Sequence, residues 1–227
     1  MATTLNAAVK AGSAATCPPF WTQAKRRLSA ADPVLGAIIR RHPRITLTPR
    51  GDAFHTLARS IVGQQISVKA ADAIWSRVRA SCGQLSPQAV TRRRPTTLRA
   101  CGLSQRKVEY LRDLAAHFSQ QRVDLARLAA MTDDQVVEVL TDIRGIGRWT
   151  AEMFLIFNLL RPDVLPLDDL GLVKAMGRHY LPDCDPASLM KGEGRQQLVD
   201  LGKRWIPYRS VATWYLWRSM DPVPVDY

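Results

Sequence analysis

IRGIGRWTAEMFLIFNLLRPDVLPLDDLGL, residues 143–172, carries the features that decide how the 227-residue chain folds. It reads as a helix end, a glycine turn, a second helix and, past a proline-bounded loop, the start of a third. Gly145 and Gly147 permit a turn with positive φ and no Cβ in the way. The stretch 149–160, "WTAEMFLIFNLL", is apolar nearly all round, which predicts a helix buried at the centre. Arg161-Pro162 is expected to end that helix. Asp168 and Asp169 then precede an apolar run opening at Leu170, where an N-cap belongs. A carboxylate placed there also meets the positive end of the helix dipole, which favours the anion.

Outward from this stretch the helical period continues. Phe54, Leu57, Ala58 and Ile61 form one stripe, and Ile66, Ala70, Ile74 and Val78 form the next, with Gly63 and "QQ" between them. Residues 104–118 place Val108, Leu111, Leu114, Ala115 and Phe118 on one face. Thr132 and Gln135 match a capping box, followed by Val136, Val139, Leu140 and Ile143. Only 44–50, "RITLTPR", resembles a strand, and it also fits an extended linker. The basic run 92–94 reads as a solvated loop. The fold class is all-α.

Lys and Arg number 32 against 20 Asp and Glu, a net charge of +12. Such an excess points to a polyanion, nucleic acid first and an acidic membrane surface second. No run approaches ~18 apolar residues, so no membrane span is expected. Cys17, Cys82, Cys101 and Cys184 have neither zinc spacing nor an iron–sulfur ligand run, and read as free thiols. The acid-free N-terminal stretch weakly resembles a transit peptide; a flexible tail over residues 1–20 is the preferred expectation.

Helix, "IRGIG", helix is the pattern of a helix–hairpin–helix. The amides of Gly145 and Gly147, at the N-terminus of the next helix, suit a DNA phosphate, and Arg148 adds a cation. A plain corner between helices would also use two glycines. The hairpin gains specificity from the aspartates, Asp169 lying twenty residues beyond Trp149.

Together, "GIGRWTA" and "LDDLGL" resemble the helix–hairpin–helix (HhH-GPD) DNA glycosylase superfamily. "IVGQQISVKAADAIW" (61–75), "GLSQRKVEYLRDLA" (102–115) and "RWIPYRSVATWYLWR" (204–218) resemble its DNA-3-methyladenine glycosylase II (AlkA-type) branch. The resemblance covers roughly residues 20 to 220 and implies two helical subdomains with the active site in the cleft between them. One would be a six-helix unit over 51–165 carrying the motif at about 136–160. The other would combine 21–50 with 166–227. The N-terminal β-domain of the AlkA type is not expected in a chain of this length.

The resemblance assigns the essential aspartate to Asp169, with Asp168 as the alternative. A fixed anion there stabilises an oxocarbenium-like C1′ and orients or deprotonates a water. Relatives that also cut the backbone carry a lysine where Trp149 stands. The resemblance therefore implies a monofunctional enzyme that leaves an abasic site, with no lyase activity. Trp149 and Trp217 would stack against the base, Trp214 being core, while Met153 and Arg218 take pocket positions that are aromatic in AlkA. Gln65 is expected as the wedge filling the vacated stack, with Gln64 or Ile66 sharing it. Phosphates would fall to Gly145, Gly147, Arg148, Thr150 and Arg209, with Lys203 and Arg204 as further basic choices. The carbonyls of Thr141, Ile143 and Ile146 are the candidates for a monovalent cation, Na+ or K+; no other cofactor is expected. Arg144 replaces the family's usual proline, which is expected to loosen the turn.

The implied substrate is double-stranded DNA carrying alkylated purines, mainly 3-methyladenine, with 7-methylguanine and hypoxanthine as further possibilities. A monomer is expected, in the cytoplasm of a bacterium or the nucleus of a eukaryote. A uracil- or mismatch-directed glycosylase, or a non-catalytic DNA-binding module, are the competing readings.

Overall fold

The computed structural model describes residues 17–220, which form thirteen α-helices and one 3-10 turn, with no β-strand among them. The all-α expectation holds. The expected tail, residues 1–20, lies outside the described residues up to 16; Phe20 already packs on Tyr208, ring centroids 6.4 Å apart.

Two sets of helices make their main contacts internally. In the first, α1 (Trp21–Ala31) packs on α2 (Pro33–Arg41), and both meet α13 (Arg209–Met220), which also packs on α11 (Leu170–Tyr180). The turn Ser188–Met190 joins α12 (Gly192–Lys203) to this set. In the second, α7 (Gln105–Ser119) packs on α3 (Ala53–Gly63), α5 (Pro87–Arg92) and α6 (Pro95–Ala100). α4 (Val68–Cys82) lies on α3, and α10 (Arg148–Phe157) bridges α9 (Asp133–Thr141) and α3. With α8 (Leu125–Ala130), residues 51–165 hold eight helices rather than six. Pro87 and Pro95, each at a helix start, and the Asp124 cap set off three helices of only six residues.

Local chemistry explains most boundaries. Thr132 and Gln135 form the expected capping box on α9. Ser67 caps α4, so its buried stripe runs through Ala71, Trp75, Val78 and Cys82, while Ile66 stays exposed on the preceding loop. α10 is buried from Thr150 to Phe157, as its composition predicts, but it ends before the expected Arg161-Pro162. Asn158 turns its amide onto the Arg50 carbonyl (3.1 Å) and Thr56 Oγ1 (3.3 Å), and Leu160 follows at φ +51°. Residues 44–50 are the extended linker rather than a strand; Arg50 N–H donates to the Phe157 carbonyl at 2.9 Å.

In the first set a buried carboxylate ties three segments. Asp32, 1% exposed, caps α2 through Leu35 N–H (3.0 Å) and accepts from Tyr180 Oη (3.0 Å) and Trp205 Nε1 (2.8 Å). Burial, then the Asp32 charge, pushes the Tyr180 phenol far above its ordinary range. Among the described residues no helix is long and apolar enough to cross a membrane.

Candidate active site

Asp169 is the N-cap of α11. Its Oδ1 accepts Leu172 N–H at 2.7 Å and Trp217 Nε1 at 2.8 Å; its Oδ2 accepts Trp149 Nε1 at 3.0 Å. Three N–H donors thus converge on one carboxylate, contributed by α10, α11 and α13. Oδ1 has both lone pairs committed, so Oδ2 retains the spare one. The residue is 9% exposed, so the carboxylate is largely screened from bulk water.

Asp168 is arranged differently. It is exposed and pairs with Arg195 Nη2 at 2.8 Å, while Arg195 Nη1 holds the Leu167 carbonyl at 2.9 Å. Arg195 therefore fixes the segment leading into Asp169.

Behind the carboxylate lies an aromatic stack. Trp217 is parallel to Phe157 at 6.1 Å, the Arg50 guanidinium carbon lies 4.3 Å from the Phe157 centroid, and Trp214 meets both aromatic rings edge-on. Gly171 leaves room for this arrangement, since a Cβ there would lie 3.1 Å from Asp169 Oδ1.

Trp149 also borders a cavity of about 370 Å³ lined by Arg59, Ser60, Gln64, Gln65 and Ile66. Its indole edge serves Asp169 and its ring also lines this cavity, roles that do not compete. Gln65 sits exposed on the α3–α4 loop at φ +57°, and Gln64 donates to the Gly145 carbonyl at 2.7 Å.

At the hairpin only Gly145 has positive φ (+87°); Gly147 is extended at −96°, which corrects the expectation for both glycines. A Cβ on Gly145 would fall 2.3 Å from the Tyr110 ring, so the side chain of α7 supplies the close approach. Gly147 is the uncapped N-cap of α10, leaving the first amides of that helix available. Arg148 is exposed and paired with Glu152 at 2.9 Å. Glu152 is 6% exposed, and burial raises its carboxyl above the usual range, opposed by Arg148. Arg144 does not leave the turn loose. The N–H that proline would lack donates to Asp113 Oδ2 at 2.9 Å.

Three further expected residues have these surroundings. Arg209 is spent on Asp163, Nε to Oδ1 at 2.7 Å and Nη2 to Oδ2 at 3.0 Å, rather than offered to a phosphate. Arg218 is buried with its guanidinium carbon 4.7 Å from the Trp214 centroid. Thr150 is 6% exposed in the first turn of α10. Met153 is nearly buried one turn beyond Trp149 on α10, and Lys203 and Arg204 are exposed.

Residues 58–195 match the HhH-GPD superfamily of base excision DNA repair proteins, and the chain belongs to that family. The DNA-3-methyladenine glycosylase 1 of Schizosaccharomyces pombe is 34% identical over 172 residues, covering 74% of this chain and 72% of its own. A solved DNA-3-methyladenine glycosidase from Bacillus halodurans superposes with a TM-score of 0.76 at 35% identity, covering 92% of each chain. A Schizosaccharomyces pombe 3-methyladenine DNA glycosylase, solved in complex with abasic DNA, gives 0.71 at 29% identity, covering 87% of this chain and 96% of its own. The chain spans 66% of the length of a further relative from Bacillus subtilis.

Sequence reasoning did not single out Lys107, Tyr110, Asp113, Phe157 or Arg195. The first three lie at i, i+3 and i+6 on α7, running from Lys107 beside the apolar stripe, between Leu111 and Leu114, round to Asp113 on the polar side. Their spacing was legible; what they touch was not.

Proposed function

We propose that this chain is a monofunctional DNA glycosylase of base excision repair, which flips an alkylated purine out of double-stranded DNA and hydrolyses its N-glycosidic bond. The observation that carries the reading is the Trp149–Asp169–Trp217 arrangement, an anion held by two indoles where a backbone-cutting relative would have an amine. The names of the relatives support 3-methyladenine as the principal substrate; 7-methylguanine and hypoxanthine are carried as further candidates from the family resemblance.

The base leaves with the electron pair of the C1′–N bond, and C1′ becomes oxocarbenium-like. Asp169 supplies the fixed negative charge, an electrostatic contribution of the kind whose removal costs about 10²–10³-fold in rate. Water adds to C1′, and its proton passes to Oδ2, the oxygen with an unused lone pair. Trp149 carries no nucleophilic amine, so no Schiff base forms and the product is an abasic site. A cationic alkylated purine gains attraction from the Trp149 face, roughly 0.5–2 kcal/mol.

Gln65 at the loop tip takes the place of the extruded base, with Gln64 and Ile66 beside it. Gly147 and the first amides of α10 hold a phosphate, with Arg148 alongside. The two helix sets act as subdomains whose shared cleft contains Asp169. A monovalent cation at the hairpin would be held by the carbonyls of Thr141, Ile143 and Ile146. The Ile143 carbonyl accepts Ile146 N–H at 3.0 Å and keeps a second lone pair that an ion could take. Such an ion would add positive charge near the phosphate. The protein works as a monomer wherever the cell keeps its DNA.

The test is base release from oligonucleotides carrying a 3-methyladenine analogue, 7-methylguanine, hypoxanthine or uracil. Release of the alkylated purines supports the reading. Release of uracil alone would support the mismatch-directed alternative, and release of none the binding module.

A further inference from the structure

Gln65 and the glycine hairpin lie 80 residues apart in sequence, yet one face of α7 touches both surroundings. At its start Lys107 Nζ donates to the carbonyls of Val62 (2.8 Å) and Gln64 (2.7 Å). These are the carbonyls at the end of α3, where Gln64 N–H makes only a long 3.4 Å bond to Ile61. A cation at a helix C-terminus is favoured by the dipole and satisfies carbonyls that the helix leaves open. One turn further along α7, Tyr110 lies under Gly145, and one turn beyond that Asp113 holds Arg144 N–H. The Gln64 side chain closes the circuit by donating to the Gly145 carbonyl at 2.7 Å. Gln65 follows directly, held at φ +57°, a conformation that costs a non-glycine residue energy and persists only where its neighbours are fixed.

We propose that α7 sets the wedge loop against the hairpin, and that Lys107 is a positioning residue for base extrusion. By gripping the Val62 and Gln64 carbonyls it presents Gln65 to the duplex at a fixed distance from the phosphate grip. Burial lowers the Lys107 ammonium from its ordinary value, consistent with a cation drawn in by its two carbonyls rather than left in solvent. The inference rests on the reading of Gln65 as the wedge.

The test compares wild type, Gln65→Ala and Lys107→Met in single-turnover excision of 7-methylguanine. Each protein is given the lesion paired in a duplex and the same lesion in an unpaired loop, where extrusion is already complete. Because one preparation meets both substrates, the paired-to-unpaired ratio is independent of how much variant has folded. Both variants are expected to lose about tenfold on the duplex, the scale of one charge-assisted hydrogen bond, and less than about twofold on the loop. A Gln65→Ala protein with an unchanged ratio removes the wedge reading itself. If Gln65→Ala lowers the ratio but Lys107→Met does not, or if Lys107→Met slows both substrates equally, the positioning role is overturned while the wedge stands.

Discussion

Trp149 Nε1 donates to Asp169 Oδ2 at 3.0 Å, so the edge of the indole is a ligand of the carboxylate. Trp149→Phe keeps an aromatic face and deletes the donor. A hydrogen bond to a charged group is worth about 1.5–3 kcal/mol. The maximal single-turnover rate should therefore fall about tenfold or more, with the half-saturating enzyme concentration changing little. A rate equal to wild type would separate the indole N–H from catalysis.

The two hairpin glycines should respond unequally to alanine. Gly145→Ala meets the Tyr110 ring at 2.3 Å and forces a positive φ on a residue with a Cβ. It should cost about 1–3 kcal/mol of stability in urea unfolding. Gly147→Ala meets nothing within 4 Å at φ −96°. Its stability should stay within about 0.5 kcal/mol, and any loss should be seen in duplex affinity by fluorescence anisotropy.

Arg144 and Asp113 should be coupled. Arg144→Pro removes both the N–H that Asp113 accepts at 2.9 Å and the guanidinium 3.5 Å from its other oxygen, and Asp113→Ala leaves both without that partner. Each alone should destabilise by about 1 kcal/mol. In the double variant neither partner is left behind, so the losses should fall short of their sum by at least about 0.5 kcal/mol. Strict additivity in urea unfolding would mean that the Arg144–Asp113 contacts do not hold the turn.

Stability should decline on mild acidification. His55 is depressed below its ordinary 6.5 by burial first and then Arg79, and His179 by burial first and then Arg178. Asp52 opposes and Arg59 reinforces the shift at His55, and Arg41 reinforces that at His179. The unfolded chain therefore binds more protons as pH drops through 6.5. The contribution is complete above 6.5 and is lost as pH falls through the lowered folded values. Glu152 has the opposite sign: its raised carboxyl adds stability at low pH, fully present below its ordinary 4.5. Urea midpoints should fall between pH 7.5 and 5.5, and His55→Gln with His179→Gln should flatten that slope.

The periodic elements were legible because their stripes, caps and prolines are local signals. The buried α10, the Thr132 cap and the helix opening at Leu170 were all read from neighbours in sequence. Asp169 was legible as a cap, and its spacing from the hairpin suggested more. What sequence could not give was which atoms converge. The sequence shows Trp149 as a flat aromatic face, and the fold commits its edge to Asp169. The sequence shows Arg209 and Arg218 only as cations; Asp163 holds one and Trp214 lies against the other. Charge type is visible in a sequence, whereas an ion pair across 46 residues depends on the packing of α13 against the loop after α10. Arg144 shows the same limit, since only the folded chain brings Asp113 to its amide.

The central claim is hydrolysis driven by the Asp169 anion without a covalent protein–DNA intermediate. Asp169→Asn keeps the volume of the side chain and removes the charge. It is best followed by single-turnover release of 7-methylguanine from duplex DNA, with product strands resolved before and after alkali and with borohydride trapping in parallel. The account predicts wild-type product that breaks only after alkali, no trapped adduct, and a rate at least about 10²-fold lower in Asp169→Asn at unchanged duplex affinity. A variant as fast as wild type, or strand breaks and a trapped adduct formed without alkali, would contradict it.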